Sequence, residues 1–212
     1  ALPISESAIL QIVGDEDVFG EQVLVEPSDE EVDAPKGRGS ALNNLGLIYW
    51  NMGDYDKALD CFFKALKDFE AIKNDQYTAN ALNNIGLVYD DLKKYNDALT
   101  FHYKAKEVYE RIKDPYLQGA VYNNLGNTYS SLNKLDSAEV YFKKAIDRQL
   151  QAKDDYGLSI AYSGYGTLME ERGQRTEAQL LFEKSLALKR KLNEVSGETI
   201  LLIHLANLQQ EM

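Results

Sequence analysis

Paired asparagines recur in this chain at an even interval. The segments ALNNLGLIYW, ALNNIGLVYD and VYNNLGNTYS begin at residues 41, 81 and 121, which are forty residues apart. A side-chain amide carries two donor hydrogens and an acceptor oxygen, so it can pair with both the C=O and the N–H group of an extended peptide. The pairs therefore predict contacts to the backbone of a bound segment. The alternative is that Asn44, Asn84 and Asn124 brace neighbouring helices.

The residue types that usually carry catalysis do not form a recognisable site. Neither a phosphate-binding loop of the type G-x-x-x-x-G-K-[ST] nor G-x-G-x-x-G after a strand is present. The acidic pairs Asp90–Asp91 and Glu170–Glu171 are eighty residues apart, too far for an acid/base pair. His102 and His204 lie on apolar helical stripes, which favours packing over catalysis. We therefore predict no enzyme, no cofactor and no metal.

The charge is distributed unevenly along the chain. The net charge is −11, and residues 1–40 account for −8 of it. The rest of the chain is nearly balanced and has no basic stripe of the kind that nucleic-acid binding requires. No apolar run approaches the length of a membrane span. The first residues lack a basic n-region, so we expect a cytoplasmic chain, although a leader already removed would leave no trace. The single cysteine, Cys61, excludes an intramolecular disulfide, and we expect it to be buried.

These features lie on a longer pattern that is centred on four glycines. Gly46, Gly86, Gly126 and Gly166 are forty residues apart. Large apolar residues stand four and one residues before each glycine, and a tyrosine, or Met169 in the last repeat, stands three residues after it. An alanine follows at twelve residues, and Phe62, His102, Phe142 or Phe182 at sixteen. The spacing predicts two amphipathic helices in each repeat, packed closely where the small residues lie.

Turn residues separate the two helices of each repeat. The segments NMGDY, LKKYN, LNKLD and ERGQR fall between them. Ten residues after the glycines stand Asp56, Asn96, Asp136 and Thr176, whose side chains can cap a helix N-terminus. We therefore expect these four residues to begin the second helices.

This pattern, W-x2-L-G-x2-Y…A-x3-F, resembles that of the tetratricopeptide repeat family over about residues 36–195. The resemblance implies an all-α, right-handed superhelix of four helix–turn–helix repeats, at about residues 36–75, 76–115, 116–155 and 156–195. The forty-residue period is similar to that of the long-repeat subclass, which includes Pins-type adaptors and bacterial sensor proteins. Residues 196–212 read as a fifth first helix or a cap, and their apolar character favours a chain cut from a longer protein.

Residues 1–35 do not fit the repeat. They combine the apolar segments ISESAILQIVG and VFGEQVLVEP with the acidic linker PSDEEVDAP. We expect this segment to dock on the repeats, either by capping the first repeat or by lying in the groove as a pseudo-ligand. The alternative is a tail without a regulatory role.

The resemblance also implies a ligand site, because family members bind ligands on the concave side formed by their first helices. The family's contact positions correspond here to 24 residues, none of which is Lys or Arg. The clamp that holds a carboxylate terminus is therefore absent. The predicted peptide-binding residues are Asn43, Asn44, Leu47, Trp50, Asn80, Asn83, Asn84, Leu87, Asp90, Asp91, Asn123, Asn124, Asn127 and Glu170. Trp50 is expected to be an aromatic anchor or to pack under the N-terminal segment.

The sequence thus favours a protein-interaction scaffold that binds an extended segment in the groove. The expected partner is a protein or peptide that is neutral to basic and not carboxylate-terminated, rather than a nucleic acid or a membrane. Two alternatives stay open. One is a sensory or regulatory module of a larger signalling protein, and the other is a structural oligomeriser whose N-terminal segment docks on a neighbouring copy.

Overall fold

The computed structural model describes residues 35–195 and 197–210, and these are helical apart from short turns. Eight helices of 17 or 18 residues follow one another, and a helix of 13 residues comes last. Their bounds are α1 Pro35–Asn51, α2 Tyr55–Ala71, α3 Asp75–Asp91, α4 Tyr95–Ile112, α5 Pro115–Ser131, α6 Leu135–Ala152, α7 Asp155–Glu171, α8 Arg175–Lys191 and α9 Glu198–Gln210. The predicted all-α fold of consecutive helix–turn–helix repeats is confirmed for these residues.

The chain divides into two compact units, one ending at Lys94 and one beginning at Tyr95. In the first, the N-terminal unit, α1 and α2 form a helical hairpin and α3 packs on α2. Gly46 permits their close approach, because a Cβ there would stand 2.6 Å from Cε1 of the buried Phe62. The glycine and the phenylalanine of the motif thus meet at the crossing of α1 and α2.

The second, the C-terminal unit, contains the hairpins α5–α6 and α7–α8, with α9 packed on α8. Gly126 and Gly166 meet Phe142 and Phe182 as Gly46 meets Phe62, with Cβ distances of 2.9 Å and 2.7 Å. Both phenylalanines are at most 1% exposed and belong to one apolar cluster. Large apolar residues of α9 remain exposed, namely Ile200, Leu202 and Ile203.

The two helices of each hairpin end in the same way. A residue with positive φ follows most helices at intervals of twenty residues: Gly53, Lys73, Lys93, Lys113, Asn133, Lys153, Gly173 and Asn193. This left-handed conformation reverses the chain and lets backbone N–H groups reach the last carbonyl groups of the helix. Glycine adopts it without steric cost, but six of the eight positions here are lysine or asparagine.

The predicted helix caps were wrong. The second helices begin at Tyr55, Tyr95, Leu135 and Arg175, so the four expected caps Asp56, Asn96, Asp136 and Thr176 lie inside the first turn. The cap of α2 is Asp54, whose side chain accepts from the Lys57 N–H group. The residues that flank α6 and α8, Lys134 and Gln174, make no side-chain cap.

The recurrent caps belong to the first helices instead. Asn74, Asp114 and Asp154 accept hydrogen bonds from backbone N–H groups of α3, α5 and α7. These caps are forty residues apart. The repeat therefore does encode a helix cap, but at the first helix of each hairpin and not at the second.

The expectation that residues 1–34 dock on the repeats lies outside the described residues. Over residues 35–195 and 197–210, no helix has both the length and the apolar composition that crossing a bilayer requires. Cys61 is buried at 5% exposure, and burial raises the pKa of its thiol.

Candidate functional site

The first helices carry the predicted site residues on one face of each repeat. We call these positions the first-helix face; they are the fourteen predicted residues together with their counterparts Ser130, Ser131 and Glu171. In the N-terminal unit, Asn44, Leu47, Asn80, Asn83, Leu87 and Asp90 are half-buried and Asp91 is exposed. The face therefore presents amide, apolar and carboxylate groups together.

One asparagine of this unit braces its neighbour. Asn84 Nδ2 donates to Asn43 Oδ1 at 3.0 Å, which joins α3 to α1. The bracing role that was weighed for the repeated asparagines is therefore present at Asn84.

Trp50 is held by a contact that the sequence did not suggest. Its indole N–H group donates to Asp91 Oδ2 at 2.6 Å. Trp50 stands at the end of α1 and Asp91 at the end of α3, so a ring and a carboxylate share one exposed corner of the unit. A segment that bound there would meet an aromatic surface beside a negative charge.

In the C-terminal unit the predicted residues differ in exposure. Asn123 is buried at 7%, Asn124 is half-buried and Asn127 is exposed. Glu170 is half-buried, and its Oε2 lies 2.7 Å from His204 Nδ1 of α9. Ser130 donates to the exposed Glu171 at 3.1 Å. This part of the face is acidic at the end of α7, where Glu170 and Glu171 lie, and carries serines at the end of α5.

A cluster of tyrosines in the same unit was not predicted. The hydroxyl of Tyr103 lies 2.7 Å from that of Tyr129 and 2.8 Å from that of Tyr141, which links α4, α5 and α6. The rings of Tyr129 and Tyr141 stack at 5.5 Å. Burial, together with the hydrogen bond to Tyr103, raises the pKa of Tyr129 to about 12. Only Tyr129 stands at a motif position, so the pattern gave no sign of the cluster.

A cleft of about 670 Å³ lies apart from the first-helix face, at the turns that follow α5 and α7. Its guanidinium group, on Arg172, already contacts Asp136 at 2.6 Å and Glu139 at 2.8 Å. A cation neutralised in this way is a poor attractor for an acidic ligand.

Comparison with family models identifies the repeats. The tetratricopeptide repeat model matches residues 37–111, 77–151 and 117–191, and the matches begin forty residues apart. The chain belongs to the tetratricopeptide repeat family. This agrees with the motif glycines and with the helical hairpins around them.

A solved structure with the same kind of fold is the crystal structure of BtubC (BKLC) from P. vanneervenii. The similarity covers 76% of this chain and 66% of that one, with 23% identity and a TM-score of 0.66. At this identity the likeness concerns the fold alone. No curated protein matches this chain.

Proposed function

We propose that this tetratricopeptide repeat chain is a protein-interaction module that binds an extended peptide or protein segment on its first-helix face. Repeats of this family generally mediate protein–protein interaction. One observation carries the more specific proposal: the face offers amide, apolar and carboxylate side chains that are half-buried or exposed, such as Asn44, Leu47 and Asp91. None of the 24 residues at the family's contact positions is Lys or Arg.

The composition of the face favours a neutral or basic partner. Asp91 and Glu171 are exposed at the ends of their helices, and Glu170, which precedes Glu171, is half-buried. Opposite charges attract a basic segment before contact, whereas a C-terminal carboxylate would be repelled without a compensating Lys or Arg. A partner that ends in a free carboxylate therefore fits this face poorly.

The amides supply the part of recognition that does not depend on ligand sequence. An asparagine pairs with peptide C=O and N–H groups, which every extended segment offers. The half-buried leucines, Leu47 and Leu87, provide apolar area beside them.

Residues 1–35 are one candidate occupant of this face in cis. A sensory module, like the bacterial sensor proteins that the forty-residue period resembles, would bind its input ligand on the same face.

A selection from a random peptide library tests the proposal. Wild-type protein should enrich extended peptides with Lys or Arg and few acids. Glu171→Lys should weaken their binding by about fivefold at low salt, because one exposed ion pair contributes up to about 1 kcal/mol. The effect should shrink at high salt.

The matched control is Glu183→Lys, which changes the net charge equally on the exposed surface of α8. This variant should bind nearly as well as the wild type. Equal losses in both variants would mean that only net charge matters, and a library that enriches acidic peptides would contradict the proposed partner class.

A further inference from the structure

The last helix of the C-terminal unit, α9, is buried on one side only. Leu201 and Leu208 are 1% and 2% exposed and belong to the apolar cluster of this unit. The opposite side faces solvent, where Ile200 is 58%, Leu202 43% and Ile203 56% exposed. Large aliphatic side chains that stand together on a surface mark a site of interaction with another protein.

The repeat register shows what covers the equivalent side of the other first helices. Leu202 and Ala206 correspond to the residue four before the motif glycine and to the glycine itself. In the fourth repeat that glycine, Gly166, packs against Phe182 of the second helix. Among the described residues α9 packs on α8, and no helix lies over Ala206, which is exposed. We call this exposed side the α9 face; its residues are Ile200, Leu202, Ile203 and Ala206.

The alanine at position 206 changes what can pack on this face. A Cβ at Gly46, Gly126 or Gly166 would stand only 2.6–2.9 Å from a phenylalanine ring of the second helix. An aromatic residue in the equivalent place would therefore meet the Cβ of Ala206 and would have to move. A helix that brings aliphatic side chains fits the α9 face better than one with the phenylalanine of the repeat motif.

The α9 face also carries no charge. Residues 199–210 contain no Asp, Glu, Lys or Arg, whereas α2, α4, α6 and α8 each contain several charged residues. A charged side chain brought onto this face would lose its water without gaining an opposite charge. Among the described helices, α9 alone combines an uncharged length with exposed aliphatic residues. Helix α5 is uncharged too, but its large exposed apolar residue is Tyr116.

We propose that the α9 face binds the α9 face of a second copy, so that the chain forms a symmetric dimer. The two surfaces are identical, as a two-fold axis requires. Because each copy has a net charge of −11, contact between copies is least opposed where the surface is neutral. Ile203 lies near the middle of Glu198–Gln210 and of the face, so its two copies meet close to the axis.

The size of the face sets the strength of the dimer. Helix α9 has 13 residues, and an interface built on one such helix lies at the small end of specific interfaces. We therefore expect a dissociation constant of about 10–100 µM. A dimer carries two first-helix faces and binds more tightly to a partner that has two suitable segments. The dimer itself does not depend on peptide binding, because it is measured on the protein alone.

Sedimentation velocity of the whole chain tests the proposal at concentrations from about 1 to 300 µM, which bracket that affinity. The average mass of the wild type should rise from 23.9 kDa towards twice that value. Ile203→Glu should weaken dimerisation by about tenfold or more, because it brings two carboxylates together in an apolar contact. The matched control is Leu150→Glu, which adds the same charge at a leucine of α6 that is 55% exposed. It should dimerise like the wild type.

A charge swap tests whether the two α9 faces meet. Ile203→Lys alone should stay monomeric, but an equimolar mixture with Ile203→Glu should dimerise, since an ammonium and a carboxylate group then pair across the axis. High salt should weaken the mixed dimer. Because Ile203 is exposed, circular dichroism should show the helix content of the wild type in both variants.

Three results would overturn the proposal. A wild-type mass that stays at 23.9 kDa at every concentration excludes the dimer. Self-association that Ile203→Glu leaves intact, or that deletion of residues 1–34 abolishes, lies at another surface. A mixture of the two charge variants that stays monomeric shows that the α9 faces do not meet.

Discussion

The ion pair between the exposed Arg38 and the buried Asp68 illustrates how single residues secure the first repeat. Arg38 Nε donates to Asp68 Oδ2 at 2.8 Å, and Nη2 donates to Oδ1 at 2.6 Å. Asp68 is 5% exposed. The hydrogen bonds from Arg38 lower the pKa of the Asp68 carboxyl group, although its burial acts in the opposite direction. The pair joins the beginning of α1 to the end of α2.

This geometry predicts a pH-dependent contribution to stability. A carboxyl group whose pKa is lowered on folding stabilises the native state above its unfolded pKa of about 3.9. The contribution is lost as pH falls through the lowered pKa. Asp68→Asn should reduce the free energy of unfolding by about 1–3 kcal/mol at neutral pH. Urea unfolding should show the difference from wild type shrinking below about pH 4.

Asp60→Asn is the matched control, because Asp60 forms an exposed ion pair with Lys64 one turn away. It should cost no more than about 0.5 kcal/mol. A difference for Asp68→Asn that stays constant between pH 7 and pH 2 would show that the ion pair is not its source.

At the scale of elements, the repeat depends on abrupt helix ends. The connections after α1, α2, α3, α5 and α7 have three residues and those after α4 and α6 have two, and each contains a residue with positive φ. A left-handed conformation costs a non-glycine residue about 1–2 kcal/mol. Glycine avoids that cost but loses about 0.5–1 kcal/mol more conformational entropy on folding. The lysines at these turns are therefore sites where stability can be gained.

Reciprocal substitutions test this explanation. Lys93→Gly should raise the free energy of unfolding by about 0.5–1 kcal/mol, because relief of the strain exceeds the entropy cost of glycine. Gly53→Ala should lower it by about 1 kcal/mol. A Cβ on Gly53 would meet no atom within 4 Å, so the loss would be conformational and not steric. Chemical denaturation measures both, and an equal loss in both variants would contradict the explanation.

At the scale of the whole molecule, the acidic N-terminal segment is the main source of net charge. Residues 1–34 contain ten acidic and no basic residues. A segment of this composition could attract a basic ligand to the protein or compete with it for the first-helix face. The two effects have opposite signs, so removing the segment distinguishes them.

Deletion of residues 1–34 leaves α1 whole, since that helix begins at Pro35. If the segment occupies the first-helix face in cis, the deletion should tighten binding of a selected basic peptide by about tenfold or more, because a tethered competitor has a high effective concentration. Isothermal titration calorimetry of both proteins measures the change. Adding residues 1–34 as a separate peptide should then inhibit binding, whereas unchanged or weaker binding after deletion would contradict occupancy in cis.

The sequence by itself determined the helical hairpins and their order. The spacing of Gly46 and Phe62, repeated three times with His102 once in place of phenylalanine, depends on contacts between residues only sixteen apart. Such contacts follow from the 3.6-residue period and a short turn, which local sequence encodes. The family and the interaction class follow from the same pattern, and the absence of Lys and Arg from the 24 contact positions is read directly from the residues there.

Only the tertiary structure decided how one repeat meets the next within a unit. The hydrogen bonds of Asn84 with Asn43 and of Trp50 with Asp91 depend on how far one helix slides along another. The tyrosine hydroxyls of three helices also meet only through this packing. The period of a helix fixes which side chains share a face, whereas the offset between helices is set by the shapes of all the side chains at the contact. For that reason Asn84, which braces a neighbouring helix, looks like Asn44 and Asn124 in the sequence.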